Sequence, residues 1–395
     1  LSFTEVHFED LLSAQMVSGL KGTTFPELVE NASYVFSDQV NPLVFRFHRH
    51  MQRALQSSIS RSPNAETLIC DVLDIYITNQ VEPMFRSAQV GDDQIERAYD
   101  QISNTLKEWF DLGVLSFSSW EQRFWKIQQS SSAFLNLKVR EQRLLEALDI
   151  VDRASNTSTL AKYLNELATV LKESGNFKAA STTYFSALEA AESSDLANTS
   201  LIAKIEHNLA ISYKEDHQFS KAEKHIQRAI FLQSRPTGSE SDLALCYLTQ
   251  GSLLNRQREL SSIRAAVEIG TKAVAILRNL GDSDRLRFAL DFLGSCYRKM
   301  GDRASLERSS TLLHESYELT LKLRGNNHPD TAHSLGEIAI TLSKQGEQGC
   351  LIAQRYLEEA ISIMDYCGFD DTYAYKARLI EKLDHVDSYI KNLAQ

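Results

Sequence analysis

Glycine and proline are scarce. The 395 residues include 16 Gly and 6 Pro, where average usage would give about 28 and about 20. Turns and left-handed backbone positions are therefore few, and the secondary-structure elements must be long. A β-sandwich, a propeller or a glycine-rich nucleotide-binding fold needs more of both residues. Long hydrophobic runs are missing as well. None approaches the ~20 residues needed to span a bilayer, so no membrane insertion is expected, and no charged segment followed by an apolar one opens the chain as a secretion signal would. Cysteine is sparse and scattered: Cys70, Cys246, Cys296, Cys350 and Cys367 are odd in number and form no C-x-x-C pair. They read as reduced thiols in the helix cores of a cytoplasmic protein. Basic charge is outnumbered, with 42 Lys and Arg against 52 Asp and Glu for a formal net charge of −10. Nucleic-acid binding, which needs a basic surface, is not expected.

What is present is a core-forming composition, 43% hydrophobic and 24% charged. At roughly 150 residues per domain the length suggests two or three domains, unless the chain grows by repetition. The first residue is Leu1 and not Met, which points to a processed product or a segment of something longer. The sequons at Asn31, Asn156 and Asn198 read as chance in a chain rich in Ser and Asn.

Internal repetition dominates the second half. In the segment from Ala161, Leu167-Ala168 is followed by Leu171, Gly175-Asn176-Phe177, Ala180, Tyr184 and Ala187. From Ala203 the same offsets carry Leu209-Ala210, Tyr213, Phe219, Ala222, Ile226 and Ala229. Three looser copies follow, marked by Gly251 and Ala266, Gly294 and Ser309, and Ala339 and Ala353. Successive copies are displaced by 42, 41, 43 and 45 residues. The last three carry two or three more residues between the paired small positions, which places the extra residues in the turn between helix A and helix B. A small residue on helix A lets helix B approach closely, and a second small residue on helix B receives it. Such a hairpin cannot bury its own face and must stack on neighbours.

This pattern resembles the tetratricopeptide repeat (TPR), and the period near 42 resembles the kinesin light chain type. So does Gly325-Asn326-Asn327-His328-Pro329-Asp330-Thr331-Ala332, which is similar to that family's G-x-x-HP-D-x-A opening of a repeat. The resemblance covers Ala161 to about Met364. Two departures stand out: Ser309 and Ser316 replace the usual Ala in the fourth copy, and the family's heptad coiled coil is not visible. The resemblance implies an all-α, right-handed solenoid of helical hairpins.

The flanks also read helical, over about 4–19, 25–39, 42–60, 65–89, 92–112, 117–136 and 138–154, with Pro83 kinking or ending the fourth. The 138–154 helix is a candidate second half of a degenerate repeat. Trp109, Trp120 and Trp125, with Phe110, Phe117 and Phe124, form either an aromatic bundle core or a partner-binding patch. Residues 372–393 read as a terminal capping helix. The expected organisation is a helical N-terminal bundle over 1–155, five TPR-like repeats over 156–368 and a cap over 369–395.

Catalytic strings are weak. His328-Pro329-Asp330 spells a J-domain tripeptide without that domain's surroundings, and Ser18-x-x-Lys21 lacks the companion motifs of serine acyl enzymes. His48 and His50, two apart on a helix, face away from one another and make a poor metal pair. No enzyme activity, metal or other cofactor is expected.

TPR arrays line their concave side with A helices, and the resemblance turns certain A-helix positions inward. These are Lys162, Asn165 and Lys172 in the first copy, Lys204, Asn208 and Lys214 in the second, Asn255 and Arg256 in the third, Arg298 and Lys299 in the fourth, and Lys344 in the fifth. A cation thus recurs near the end of every A helix. It either guides an acidic or carboxylate-bearing peptide into the groove or complements the negative end of its own helix. The asparagines suit an extended peptide backbone, because a carboxamide both donates and accepts. The expected function is a non-catalytic scaffold or adaptor holding a protein or peptide partner. The alternatives are a sensor segment of a larger signalling or defence protein with its catalytic domain elsewhere, and a peptide-responsive regulator built from a bundle and TPRs.

Overall fold

A computed structural model describes residues 92–393, apart from 112, 114, 132–135, 194–197 and 258, together with 37–38, 41–45, 66–67, 70, 73–74 and 77–78. The expected helix over 4–19, most of 25–39 and 42–60, Ser18, Lys21, His48, His50, Pro83 and the Asn31 sequon lie outside the described residues. Two compact units, Leu1–Asn156 and Thr157–Gln395, divide the chain, and the described residues contain fourteen α-helices.

In the first unit the expected helices over 25–39 and 42–60 give way, in part, to a short antiparallel pair, β1 (Ser37–Asp38) and β2 (Asn41–Phe45). The run Leu43-Val44-Phe45 favours extended backbone, and Pro42 disfavours a continuous helix. Three long helices follow: α1 (Asp92–Asp111), α2 (Phe117–Ser131) and α3 (Leu137–Arg153). Trp109, Trp120, Phe124 and Leu106 are buried. Trp120 stacks on Phe124 with ring centroids 5.2 Å apart and lies 5.9 Å from Phe110. The aromatics are the bundle's core, with Trp125 half-buried at its edge. Arg143 of α3 pairs with Asp100 of α1 at 2.6 Å, and Arg153 pairs with Asp111 at 3.1 Å.

The second unit is five stacked hairpins and a closing helix. The hairpins are α4 (Thr157–Glu173) with α5 (Phe177–Glu192), α6 (Thr199–Glu215) with α7 (Phe219–Gln233), α8 (Glu240–Arg256) with α9 (Leu260–Leu280), α10 (Ser283–Met300) with α11 (Arg303–Arg324), and α12 (Pro329–Leu342) with α13 (Glu347–Tyr366). The last helix, α14 (Ala374–Leu393), packs on α13 and buries Leu379 and Val386. Side-chain caps fix the helix starts: Asn176, Asn198, Ser239, Asp282 and Asp302 each accept a backbone N–H from the first turn, satisfying donors that have no partner within the helix. His328 caps α12 in the same way ahead of Pro329, whose fixed φ suits the first helical position.

Packing follows the small-residue pattern. Ala168, Ala210, Ala180 and Ala222 are wholly buried. At Gly294 an added Cβ would sit 2.8 Å from Leu313 Cγ, so only glycine permits the approach. Ser309 and Ser316 do not disturb the fourth repeat. Both are fully buried and donate to A-helix carbonyls, Ser309 to Gly294 at 2.8 Å and Ser316 to Arg287 at 3.1 Å.

The extra residues of repeats three to five are not in the A–B turn. Those turns stay short, and the B helices lengthen instead: α9, α11 and α13 have 21, 22 and 20 residues, against 16 and 15 in α5 and α7. Three residues approximate one helical turn, so a turn added at the start of helix B returns Ala266, Ser309 and Ala353 to the face that meets helix A.

Candidate functional site: the row of A helices

Successive A helices touch: α4 meets α6, α6 meets α8, α8 meets α10 and α10 meets α12. Successive B helices approach one another less closely. The stack therefore bends toward its A helices, whose row lines the inner face.

A polar column runs along this row at a constant interval of 42 residues: His207, Thr249, Asp291, His333 and Tyr375. His207 Nε2 and Thr249 Oγ1 are 2.9 Å apart. His333 stacks on Tyr375 with centroids separated by 4.8 Å, while the Tyr375 hydroxyl donates to the His333 carbonyl at 3.0 Å. None of these residues was a sequence candidate for the inner row, although Tyr375 falls in the expected capping helix. Their common signal is polar identity recurring at the period that the alanines define.

The expected groove residues divide into two groups. Several join one repeat to the next. Asn208 donates to the buried Asn165 across α4 and α6 at 3.1 Å. Lys299 donates to the Asn255 carbonyl at 3.2 Å. Arg298 is buried and pairs with Glu337 at 2.7 Å, donating also to the Glu337 carbonyl and to Thr341. Burial acts to raise the Glu337 carboxyl, but the Arg298 charge and hydrogen bond hold it below the ordinary carboxylate range. The remaining cations face more open surroundings. Lys204 and Lys344 are exposed, and Lys162, Lys172 and Lys214 are half-buried. Arg256 is exposed and stacks 4.6 Å over the Phe219 ring.

Charge is uneven along the row. Toward its start, Lys172, Lys214 and Arg256 recur at intervals of 42. Burial pushes the Lys172 amine below the ordinary lysine range, and Glu173, Glu166 and Glu215 oppose that shift. His207 beside it is held neutral, its pKa lowered to about 4 by burial and then by the Lys172 charge. Toward the end, a pocket of about 360 Å³ opens between α10, α12 and the residues leading into α14, lined by Phe288, Asp291, Asp330, His333, Tyr373 and Tyr375 among others. Its walls are set by helix starts. Asp330, in the first turn of α12, reaches back to Arg287 of α10 at 2.9 Å, and Arg287 is also held by Asp284 at 3.2 Å. Asp291 Oδ1 is sealed from solvent and has no hydrogen-bond partner. Burial raises the Asp291 carboxyl to about 6, and a hydrogen bond from Ser316 to the carboxylate opposes that shift.

Among the described residues no three His, Cys, Asp or Glu side chains converge as a metal site, and no helix is long and apolar enough to cross a membrane.

No family model matches this sequence, and no curated protein matches it. Solved structures share its fold. BtubC (BKLC) from P. vanneervenii superposes with a TM-score of 0.51 at 17% identity, over 59% of this chain and 93% of that one. A STAND signal-transduction ATPase with a tetratricopeptide repeat sensor, from Pyrococcus horikoshii, gives 0.51 at 12% identity over 88% of this chain, which spans 55% of that protein. A putative kinesin light chain from Podosopora anserina with TPR-like repeats gives 0.45 at 18% identity, over 54% of this chain and 98% of that one. The array of residues 157–366 has the tetratricopeptide-repeat fold.

Proposed function

We propose that this array is a non-catalytic interaction module that holds an extended segment of a partner protein along the inner row of A helices. The observation that carries the reading is where hydrogen-bonding capacity is left over. Asn255 Oδ1 and Asp291 Oδ1 are buried oxygens without partners, and both belong to A helices, α8 and α10. Buried polar atoms are nearly always paired, and a turn of either side chain toward the inner row lets an incoming main chain or side chain supply what these lack. The basic start of the row draws an acidic side chain or carboxylate of the partner through Lys172, Lys214 and Arg256, strengthening encounter more than final affinity.

The test is charge reversal. Lys214→Glu with Arg256→Glu should weaken binding of peptides selected on the full chain by tenfold or more at low salt, with the difference shrinking as salt rises. Unchanged affinity overturns the acidic-partner reading.

A second reading is a sensor segment within a larger signalling protein. The Pyrococcus horikoshii likeness, which extends over 88% of this chain, favours it. Sequencing the transcript on both sides of this chain tests it: a linked catalytic domain supports the sensor role, and its absence from both flanks overturns it.

A further inference from the structure

The pocket near the starts of α10 and α12 is acidic and aromatic, unlike the cations near the ends of the A helices, and its chemistry identifies a different part of the partner. We infer that the pocket between α10, α12 and Tyr375 takes a basic side chain, arginine or lysine, from the segment bound along the A helices. The inference rests on the groove reading and deepens it.

Three independent observations converge. First, Asp291 lines the pocket, and its Oδ1, just beneath that wall, has no donor, so a modest turn of the side chain brings the carboxylate to an incoming group. A carboxylate in poorly solvated surroundings gains most from a cation that brings N–H donors of its own. Second, the walls beside it are aromatic and accessible: Phe288 is 49% exposed and Tyr373 46% exposed, with Tyr375 alongside. Rings around an acid suit a cation, which their negative faces attract. Third, one ring already holds such a group. The Arg287 guanidinium lies 3.8 Å over the Phe288 ring, which shows that the local geometry accepts the stacking.

The alternative occupants fit less well. An anion would have to use Arg287, but that guanidinium is held by Asp284 and Asp330. It would also face Asp291 directly. An apolar side chain would leave Asp291 Oδ1 without a donor, the costly outcome for a buried polar atom. The titratable groups around Asp291 are Arg287 on its own helix and His333 and Glu337 on α12. Glu337 is itself held by Arg298, with Arg378 of α14 at 3.8 Å. Neither arginine is placed to satisfy Asp291. A partner segment carrying its acidic and basic residues in a fixed order would therefore lie along the row in one direction only.

The experiment selects binders from a displayed library of random nine-residue peptides on the full chain. Each binder is then resynthesised with arginine replaced by citrulline or lysine by acetyl-lysine. Binders should contain a basic residue whose neutralisation weakens binding tenfold or more to the wild-type chain and less than twofold to Asp291→Asn. That variant removes a buried charge and is expected to fold at least as well. Phe288→Ala should weaken the charged peptides about threefold or more. If binders respond to Lys214→Glu but show no basic requirement, or bind Asp291→Asn as they bind wild type, this inference is overturned and the groove reading stands. If no binder emerges, or binding ignores every A-helix substitution, the groove reading is overturned as well.

Discussion

Arg298 of α10 and Glu337 of α12 meet at 2.7 Å with each side chain only 10% exposed, so an ion pair joins the fourth repeat to the fifth inside the stack. Breaking such a pair from one side leaves a buried charge without compensation and typically costs about 3–5 kcal/mol, whereas replacing both partners with apolar residues of similar volume is often neutral. Arg298→Ala should therefore lower stability by about 3 kcal/mol or more, and Arg298→Met combined with Glu337→Leu by about 1 kcal/mol or less. Urea unfolding of the three chains checks this. A double variant as damaged as the single one would show that Arg298 acts through its bonds to the Glu337 carbonyl and Thr341.

His217 adopts a left-handed backbone, φ +60°, in the α6–α7 turn, where the first repeat places Gly175 at φ +81°. A residue with a Cβ is disfavoured there by about 1 kcal/mol. His217→Gly should stabilise the chain by about 0.5–1 kcal/mol, and His217→Ala should not. Both lose the imidazole beside Phe219, so the difference between them isolates the backbone. Equal Tm values for the two would sink the strain argument.

The repeats were legible because close helix packing demands small residues at fixed spacing, and Ala168, Ala210, Gly251 and Gly294 are read directly from sequence. The extra residues of α9, α11 and α13 were misplaced because a three-residue insertion looks the same in sequence whether it lengthens a turn or adds a helical turn. The contacts along the A-helix row were half legible. Charge near the end of an A helix marks Lys172 and Lys214, but cannot show that Arg298 is taken up by Glu337, 39 residues away. The column through Asp291 was missed because its members share polarity and not identity, whereas the packing positions repeat Ala or Gly.

Thiol reactivity should separate the cysteines by depth. Burial raises Cys246 and Cys296 to about 12, and the thiolate is the reactive form. Cys367, half-buried, should react first with a thiol reagent at pH 8, while Cys246 and Cys296 react only as the chain unfolds. A Cys367→Ser chain that keeps the fast phase would refute this assignment.

His207 and Asp291 should pull stability in opposite directions below neutral pH. His207 titrates at about 4 in the folded chain and near 6.5 unfolded. Between those values the unfolded chain holds the extra proton, so its contribution is complete above about pH 6.5 and is lost as pH falls toward 4. Asp291 titrates at about 6 when folded and near 3.9 unfolded. There the folded chain holds the extra proton, so its contribution is present below about pH 4 and is lost as pH rises through 6. The groups around His207 are Lys172, Lys214, Asp242 and Thr249; those around Asp291 are Arg287, His333, Glu337 and Ser316. Each shift corresponds to about 1–3 kcal/mol after allowance for relaxation, so the wild-type urea midpoint should vary little on their account between pH 4.5 and 6. Asp291→Asn should raise the midpoint at pH 7.5, lose that gain by pH 4.5 and leave a profile that falls with acid. His207→Gln should do the reverse, matching wild type at pH 7.5 and exceeding it at pH 4.5. A gain in Asp291→Asn that persists unchanged to pH 4.5 would mean that the buried charge is not its source.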